Sequence, residues 1–190
     1  MRLAGLALTV VSLVLGPAAP SLAADQPPKL LGWTADGSPQ YSMLDSFEQT
    51  TGKYPAFIQL YWSVTGDWAS AAALNLYAQR GVIPYVELTA ASLSQVTTAN
   101  LQPRVAAIAA WLDQSPSHHI LIAPFPEANL DDHPWGGNPS GYKSAYRKVR
   151  QAFIDAGATP SQVRFVFAMN GWSSAGLSYD DFYPGDAEVD

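Results

Sequence analysis

The stretch that decides the fold is residues 56–88, which read AFIQLYWSVTGDWASAAALNLYAQRGVIPYVEL. Two runs rich in aromatic and branched residues, 56–62 and 83–88, predict strands. Between them, residues 68–80 form an alanine- and leucine-rich run that Asp67 can cap and a glycine can end, which predicts a helix. The strand runs are continuously apolar, a pattern typical of parallel strands that are buried on both faces. The stretch is therefore predicted to be a β/α/β unit.

The same alternation continues along the rest of the chain. Strands are predicted at residues 30–34, 56–62, 83–88, 119–124 and 164–169, and the other helices at 43–50, 103–114 and 141–156. Such units build either a (β/α) barrel or a doubly wound sheet. No glycine-rich phosphate loop follows a strand, and polar and aromatic residues crowd after the strand ends, as in barrel enzymes. We therefore expect an α/β fold of the (β/α)8 TIM-barrel type.

The length of the chain limits how much of a barrel it can form. A complete eight-fold barrel usually needs about 250 residues, whereas this chain has 190. Only about the first five β/α units are predicted, in a chain that we expect to be shortened at its C-terminus.

Composition excludes several classes of protein. Hydrophobic residues make up 48% of the chain and charged residues 14%, which supports a packed core and excludes a disordered chain. The net charge is −6 and there is no basic run, so we expect no nucleic-acid partner. The absence of cysteine excludes disulfides and thiolate metal sites. We expect no cofactor and no metal, because the spacing of His118, His119, Asp131, Asp132 and His133 matches no standard ligand pattern.

The N-terminus has the layout of a secretory signal peptide. Arg2 supplies a positive start, residues 3–15 are almost wholly apolar, and a small-residue cleavage site follows at 21–24. The apolar run is too short to span a bilayer stably. We expect residues 1–24 to be removed, residues 25–190 to form the partial barrel domain, and the product to be secreted and free of the membrane. The sequence leaves the oligomeric state open.

The chemistry is concentrated after the fourth predicted strand, where residues 124–129 read PFPEAN. A glutamate that follows two prolines and precedes an aromatic-rich loop is partly desolvated, which suits it to donate a proton. Asn129 can hydrogen-bond a sugar hydroxyl without titrating, and Trp135 offers a flat apolar face to a pyranose. We interpret Glu127 as the catalytic proton donor and Asn129 and Trp135 as substrate-binding residues. A purely structural role for Glu127 stays open.

Four sets of residues carry a family resemblance: 30–33 (LLGW) with 47–53 (FEQTTGK), 81–87 (GVIPYVE), 124–136, and 141–147 (GYKSAYR) with 165–170 (FVFAMN) and 183–186 (YPGD), followed by Val189 and Asp190. These segments resemble glycoside hydrolase family 26, a group of β-mannanases and related endo-β-glycanases. The resemblance covers about residues 30–190.

This resemblance implies a retaining glycosidase that acts on β-1,4-mannan or a related β-glycan, with Glu127 as general acid/base and Asn129 as its sugar-contacting neighbour. It also implies a nucleophilic glutamate on a seventh strand. The loop of the family usually reads His-Glu with an arginine upstream. Here Pro126 replaces the histidine, and Ala123 or Pro124 stands where the basic residue is expected.

The remaining candidates follow other strand ends. Glu87, at the end of the third strand, is the best local candidate for a second carboxyl beside Glu127, although a substrate-orienting or packing role stays open. Trp62, Trp68 and Trp172 are candidate sugar-binding platforms, each equally compatible with ordinary packing. A polysaccharide is the expected partner. The alternative is a non-catalytic partial barrel, a relic or a weak glycan-binding module without the nucleophile.

Overall fold

The computed structural model describes residues 32–33 and 41–190. The predicted signal peptide, residues 1–24, lies outside these residues.

Strands and helices alternate throughout the described chain. The strands are β1 Gly32–Trp33, β2 Phe57–Ser63, β3 Ile83–Thr89, β4 Ile120–Pro124 and β5 Val163–Phe165. The helices are α1 Tyr41–Thr51, α2 Ala71–Ala78, α3 Thr98–Leu112, α4 Pro139–Asp155 and α5 Tyr179–Phe182, and a short 3-10 helix lies at Leu93–Gln95.

The five strands form one parallel sheet in sequential order, β1-β2-β3-β4-β5. Because crossovers between parallel strands are right-handed, a sequential order sends every connection over the same side of the sheet. A doubly wound sheet instead reverses its strand order at one point. The predicted (β/α)-barrel type of fold, with its first five β/α units, is therefore confirmed.

The two faces of the sheet differ in burial. The helix-facing side chains are buried, each contributing roughly 1.5–3 kcal/mol relative to exposure; they include Ile58, Leu60, Trp62, Val86, Leu88, Ile120 and Ile122. The opposite face carries Gln59, Tyr61, Tyr85 and Glu87, which are half-buried or exposed. The prediction that both faces are buried is thus wrong for β2 and β3 in the described structure. Polar residues in both apolar runs mark the open face.

Helix starts are set by capping residues. The Ser70 hydroxyl caps α2 by accepting from the Ala73 N–H at 3.2 Å, so the predicted cap at Asp67 is wrong. Helix α3 begins five residues before the predicted start at Pro103, because the Thr97 hydroxyl caps it.

Strand β5 is shorter than the predicted run 164–169. After Phe165, where β5 ends, the backbone makes one more hydrogen bond to β4: the Val166 N–H donates to Ile122 O at 2.8 Å. Two residues later, Ala168 O accepts from the Glu127 N–H. The apolar run therefore continues past the strand in order to meet the loop after β4.

Candidate active site

The turn after β4 sets the position of Glu127. Phe125 and Glu127 both have left-handed backbone, with φ of 54° and 58° on either side of Pro126. Each such residue costs on the order of 1–3 kcal/mol, so the surroundings must hold it in place. The Phe125 N–H donates to Leu88 O at 2.7 Å, and the Glu127 N–H donates to Ala168 O at 2.9 Å. The turn is therefore fastened to β3 on one side and to the segment after β5 on the other.

Both carboxylate oxygens of Glu127 have a partner. Asn170 Nδ2 donates to Oε1 at 2.8 Å, and His133 Nε2 lies 3.3 Å from Oε2. The Glu127 side chain is nevertheless 45% exposed, more than the flanking prolines and aromatic loop led us to expect. The carboxyl group is therefore oriented by hydrogen bonds and remains open to a ligand.

Trp135 supports this arrangement from within the loop. Its indole N–H donates to Pro126 O at 2.7 Å, and only 9% of the residue is exposed. The ring stacks on the imidazole of His133, with centroids 5.0 Å apart and planes 14° apart. The interpretation of Trp135 as a sugar platform is corrected by this packing, because the indole is buried and faces the imidazole.

Asn129 is fully buried, and its amide is saturated with hydrogen bonds. Nδ2 donates to Asn170 O at 3.1 Å, Trp172 O at 2.7 Å and Ser173 Oγ at 3.0 Å, and Oδ1 accepts from the Asn170 N–H at 3.0 Å. An amide buried and saturated in this way cannot contact a sugar. Asn129 instead fixes the segment that carries Asn170 and Trp172, which corrects its assignment as a substrate-binding residue.

A second link joins the same two segments. The Ser174 hydroxyl donates to Asp131 Oδ1 at 2.6 Å and accepts from the Asp131 N–H at 3.0 Å. The Ser174 N–H also donates to Asn129 O at 3.0 Å. Residues 127–137, which we call the β4 loop, and residues 170–174, which we call the β5 segment, therefore act as one unit around Glu127.

Glu87 lies on the open face of β3, beside Tyr61 of β2 in the sheet register. Burial raises the pKa of the Glu87 carboxyl above its ordinary value. A hydrogen bond from Gln59 and one from Tyr85 act in the opposite direction, whereas the charge of Glu127 raises the pKa further. Because the charge of Glu127 acts on the Glu87 carboxyl, Glu87 lies in the same site as Glu127.

The neighbours of Glu87 form a polar strip across β2 and β3. The Tyr85 hydroxyl donates to Glu87 Oε1 at 3.5 Å. Burial, and then the charge of Glu87, raises the pKa of Tyr85, so this hydroxyl stays a donor. Gln59 Nε2 donates to the hydroxyl of Tyr61 at 3.0 Å, and Tyr61 is 60% exposed.

Of the candidate tryptophans, Trp62 lies in the core, and the half-buried Trp68 packs against the core. Trp62 is 6% exposed and stacks on Trp68 at 5.0 Å and 22°. Trp68 also stacks on Phe153 of α4 at 6.3 Å, and its indole N–H donates to Ser63 O at 2.9 Å. Both rings therefore join the sheet to the helices. The assignment of Trp62 as a sugar platform is corrected by its burial, whereas the half-buried Trp68 stays a prediction.

Trp172 has the opposite environment. It is 63% exposed, while its backbone is fixed on both sides: its N–H donates to Asn170 Oδ1 at 3.2 Å and its carbonyl accepts from Asn129. An exposed ring on a fixed backbone loses little freedom when it binds a flat ligand. Trp172 therefore stays a candidate sugar platform. It lies two residues after Asn170, which orients Glu127.

Sequence patterns did not single out the two direct partners of Glu127. Asn170 ends the FVFAMN run of the family resemblance, and that position was the available signal. His133 lies six residues after Glu127, and its return to the carboxylate depends on the stack with Trp135, which no local pattern reveals.

Within residues 42–190, no three His, Asp or Glu side chains come together as a possible metal site. In the same part of the chain, no helix is both long and apolar enough to cross a membrane.

Solved structures share this fold. A mannanase of Bacillus subtilis superposes with a TM-score of 0.61 at 20% identity, over 84% of this chain and 59% of its own. The GH26 domain of an endo-β-mannanase/endo-β-glucanase from Prevotella bryantii gives 0.58 at 17% identity, over 84% and 64%. A GH26 β-mannanase from Bacteroides ovatus gives 0.56 at 15% identity, over 75% and 52%. No protein-family model and no curated protein matches the sequence.

The likeness is one of fold, because the identities are low, and the chain spans 52–64% of the length of these three structures. The resemblance inferred from the sequence motifs and the superposition agree. The chain therefore has the fold of the glycoside hydrolase family 26 β-mannanases, over part of their barrel.

Proposed function

We propose that this chain belongs to a glycoside hydrolase that acts on β-1,4-mannan or a related β-glycan, with Glu127 as the proton donor. One observation carries the proposal: a solvent-open carboxyl group stands at the C-terminal edge of a parallel sheet with both of its oxygens oriented. This edge is where barrel enzymes build their active sites. Several solved structures that share the fold are mannanases by name, which supports the choice of glycan.

The hydrogen bonds around Glu127 determine which oxygen can deliver a proton. Oε1 accepts from the Asn170 amide, so it is the unprotonated oxygen. The acid form of Glu127 therefore carries its proton on Oε2, which faces His133. Transfer of that proton to the departing glycosidic oxygen is the general-acid half of glycoside hydrolysis.

Substrate binding is assigned to the exposed aromatic rings on the open side of the sheet. Trp172 supplies the first platform, since its ring is exposed and its backbone fixed. Tyr61 and Glu87 lie next to each other on β2 and β3 and offer further contacts to sugar hydroxyls. A polysaccharide is the proposed partner.

The second carboxyl of the reaction is not assigned to Glu87. A nucleophile must be ionised, whereas burial and the charge of Glu127 favour the protonated form of Glu87. A protonated carboxyl suits a hydrogen-bond donor to the sugar. The family resemblance implies a nucleophile on a seventh strand, beyond the five strands that the structure describes.

Because no carboxyl group in the described part of the chain is assigned as the nucleophile, a second candidate function is a glycan-binding protein that does not hydrolyse its ligand. Both candidates use Trp172 and the open face of the sheet, and they differ only in whether bonds are cleaved. Binding of mannan without release of reducing ends would favour the second candidate.

The deciding assay is reducing-sugar release from mannan by the wild-type chain and by Glu127→Gln. Because a general acid contributes about 10²–10⁴-fold to a rate, the variant should lose at least roughly 100-fold in kcat. Asp132→Asn is the matched control, since Asp132 is an exposed carboxylate in the same β4 loop. Measurable release at the same rate by wild type and Glu127→Gln would remove Glu127 from the mechanism.

Export is proposed from residues 1–24 alone. The mature N-terminus of exported protein is expected at Ala24 or Asp25, and N-terminal sequencing measures it. An intact Met1 on the exported protein would contradict cleavage.

A further inference from the structure

The imidazole of His133 contacts the carboxylate of Glu127, the proposed proton donor. His133 Nε2 lies 3.3 Å from Glu127 Oε2, although six positions separate the two residues. The residue directly before Glu127 is Pro126, which has no polar side chain. The only imidazole at this carboxylate in the described structure therefore comes from the far part of the β4 loop.

The position of the imidazole is built into the loop. Its ring stacks on Trp135, and Trp135 is anchored through its indole N–H to Pro126 O. The Gly136 N–H donates to His133 O at 2.9 Å, and a Cβ on Gly136 would overlap the carbonyl oxygen of Leu130. The stack with Trp135 therefore fixes the ring of His133, and the hydrogen bond from Gly136 fixes its backbone.

The contact falls on the oxygen that matters for proton transfer. Asn170 occupies Oε1, so Oε2 carries the transferable proton, and His133 is the group that faces it. The imidazole side chain is 30% exposed. It accepts from protonated Oε2 through a neutral Nε2 and donates to the ionised oxygen through Nε2–H.

We propose that His133 is a positioning residue for Glu127, which aims Oε2 at the substrate and supplies from the β4 loop the imidazole that position 126 lacks. The inference rests on the proposed function of Glu127. His133 forms and breaks no covalent bond. In the general-acid half of the reaction the O–H bond of Glu127 breaks, its proton passes to the departing glycosidic oxygen as the glycosidic C–O bond breaks, and Glu127 is left ionised.

Kinetics on mannan separate positioning from general support of the fold. His133→Ala should lower kcat by about tenfold to 10²-fold, the scale of a misdirected reacting group, with KM within about twofold because Trp172 is untouched. His133→Gln restores an N–H near the same place and should recover kcat to within about threefold of wild type. His119→Gln is the control, since His119 bonds the Ser161 carbonyl at the opposite end of β4. A His133→Gln variant as impaired as His133→Ala, or a change confined to KM, would overturn the proposal.

A spectroscopic test decides the case if the chain hydrolyses nothing. The chain has three histidines, and the other two bond backbone carbonyls of Trp111 and Ser161. In ¹⁵N-labelled protein, Glu127→Gln should shift the imidazole nitrogens of His133 and leave those of His118 and His119 in place. An inactive wild type with this shift keeps the His133–Glu127 pair and rejects the hydrolase. An unchanged His133 signal rejects the pair, whatever the activity.

Discussion

At the scale of single residues, the site depends on which hydrogen-bond donors reach Glu127. Asn170 gives one N–H to Oε1, and with its own oxygen it accepts from the Trp172 N–H. One side chain therefore connects Glu127, the proposed proton donor, to the exposed Trp172.

Asn170→Asp tests this connection with an isosteric change. The variant keeps an oxygen for the Trp172 N–H but places a second carboxylate against Glu127 Oε1, where like charges repel. We expect mannan hydrolysis at neutral pH to fall by at least about tenfold, the cost of a lost orienting contact. The affinity for mannan, which we assign to Trp172, should change little. Unchanged kcat would contradict the role assigned to Asn170.

The pKa of Glu87 makes a second prediction, in the pH dependence of stability. Because burial raises this pKa in the folded state, the carboxyl stabilises the fold fully below its unfolded pKa and loses that contribution as the pH rises through the folded pKa. Glu87→Gln mimics the protonated form. The difference in unfolding free energy, Glu87→Gln minus wild type, should therefore grow as the pH rises above about 4.5, near the unfolded pKa.

Urea unfolding of both proteins at a series of pH values measures this difference. Asp132→Asn, which replaces an exposed carboxylate, should show no such trend. A difference for Glu87→Gln that shrinks with rising pH would reverse the sign and contradict the account.

Sequence reasoning placed Glu127 and Glu87 at neighbouring strand ends, and their roles stay predictions. It misjudged the environment of other residues whose type fits a sugar site. In β2, Trp62 shares its face with Ile58 and Leu60, whereas Tyr61 shares the other face with Gln59. The two-residue period of the strand held that information, so Trp62 could have been recognised as a core residue. The burial of Asn129 could not have been foreseen, since it depends on three partners more than 40 positions away.

At the scale of elements, the site consists of two loops that follow neighbouring strands and are hydrogen-bonded to each other. The β4 loop and the β5 segment are linked through Asn129 and through Ser174 with Asp131. Two left-handed residues, Phe125 and Glu127, start the first connection. The sequence predicted the strands that precede these connections, but not the way in which the connections bond to each other.

Gly136→Ala tests the β4 loop as an element. The new methyl group would overlap Leu130 O, so the loop must shift and move His133 and Trp135. Overpacking of this kind costs about 1–3 kcal/mol of unfolding free energy, and kcat should fall at least as far as in His133→Ala.

Gly171→Ala is the matched control, because a Cβ there meets nothing within 4 Å. Its unfolding free energy and kcat should stay close to those of wild type. Equal behaviour of the two variants would show that the fit of Gly136 does not determine the loop.

At the scale of the whole molecule, the fold follows from the alternation of strands and helices. The predicted β/α order and the barrel-type sheet were both correct, since apolar runs and glycine stops are local signals. The burial of both sheet faces was wrong, because the open face of β2 and β3 carries polar side chains within otherwise apolar runs. That open face, which ends at Glu127, is the surface that we propose binds the glycan.

The central claim is that this edge of the sheet binds a β-glycan beside Glu127. Titration of ¹⁵N-labelled Glu127→Gln with mannohexaose tests it directly, without cleavage of the ligand. We expect the indole signal of Trp172 and the amide signals of the β4 loop to shift, and the indole of Trp111, which bonds Asn75 within the helical layer, to stay unchanged. No shift at saturating ligand, or shifts that avoid Trp172 and the β4 loop, would contradict the claim.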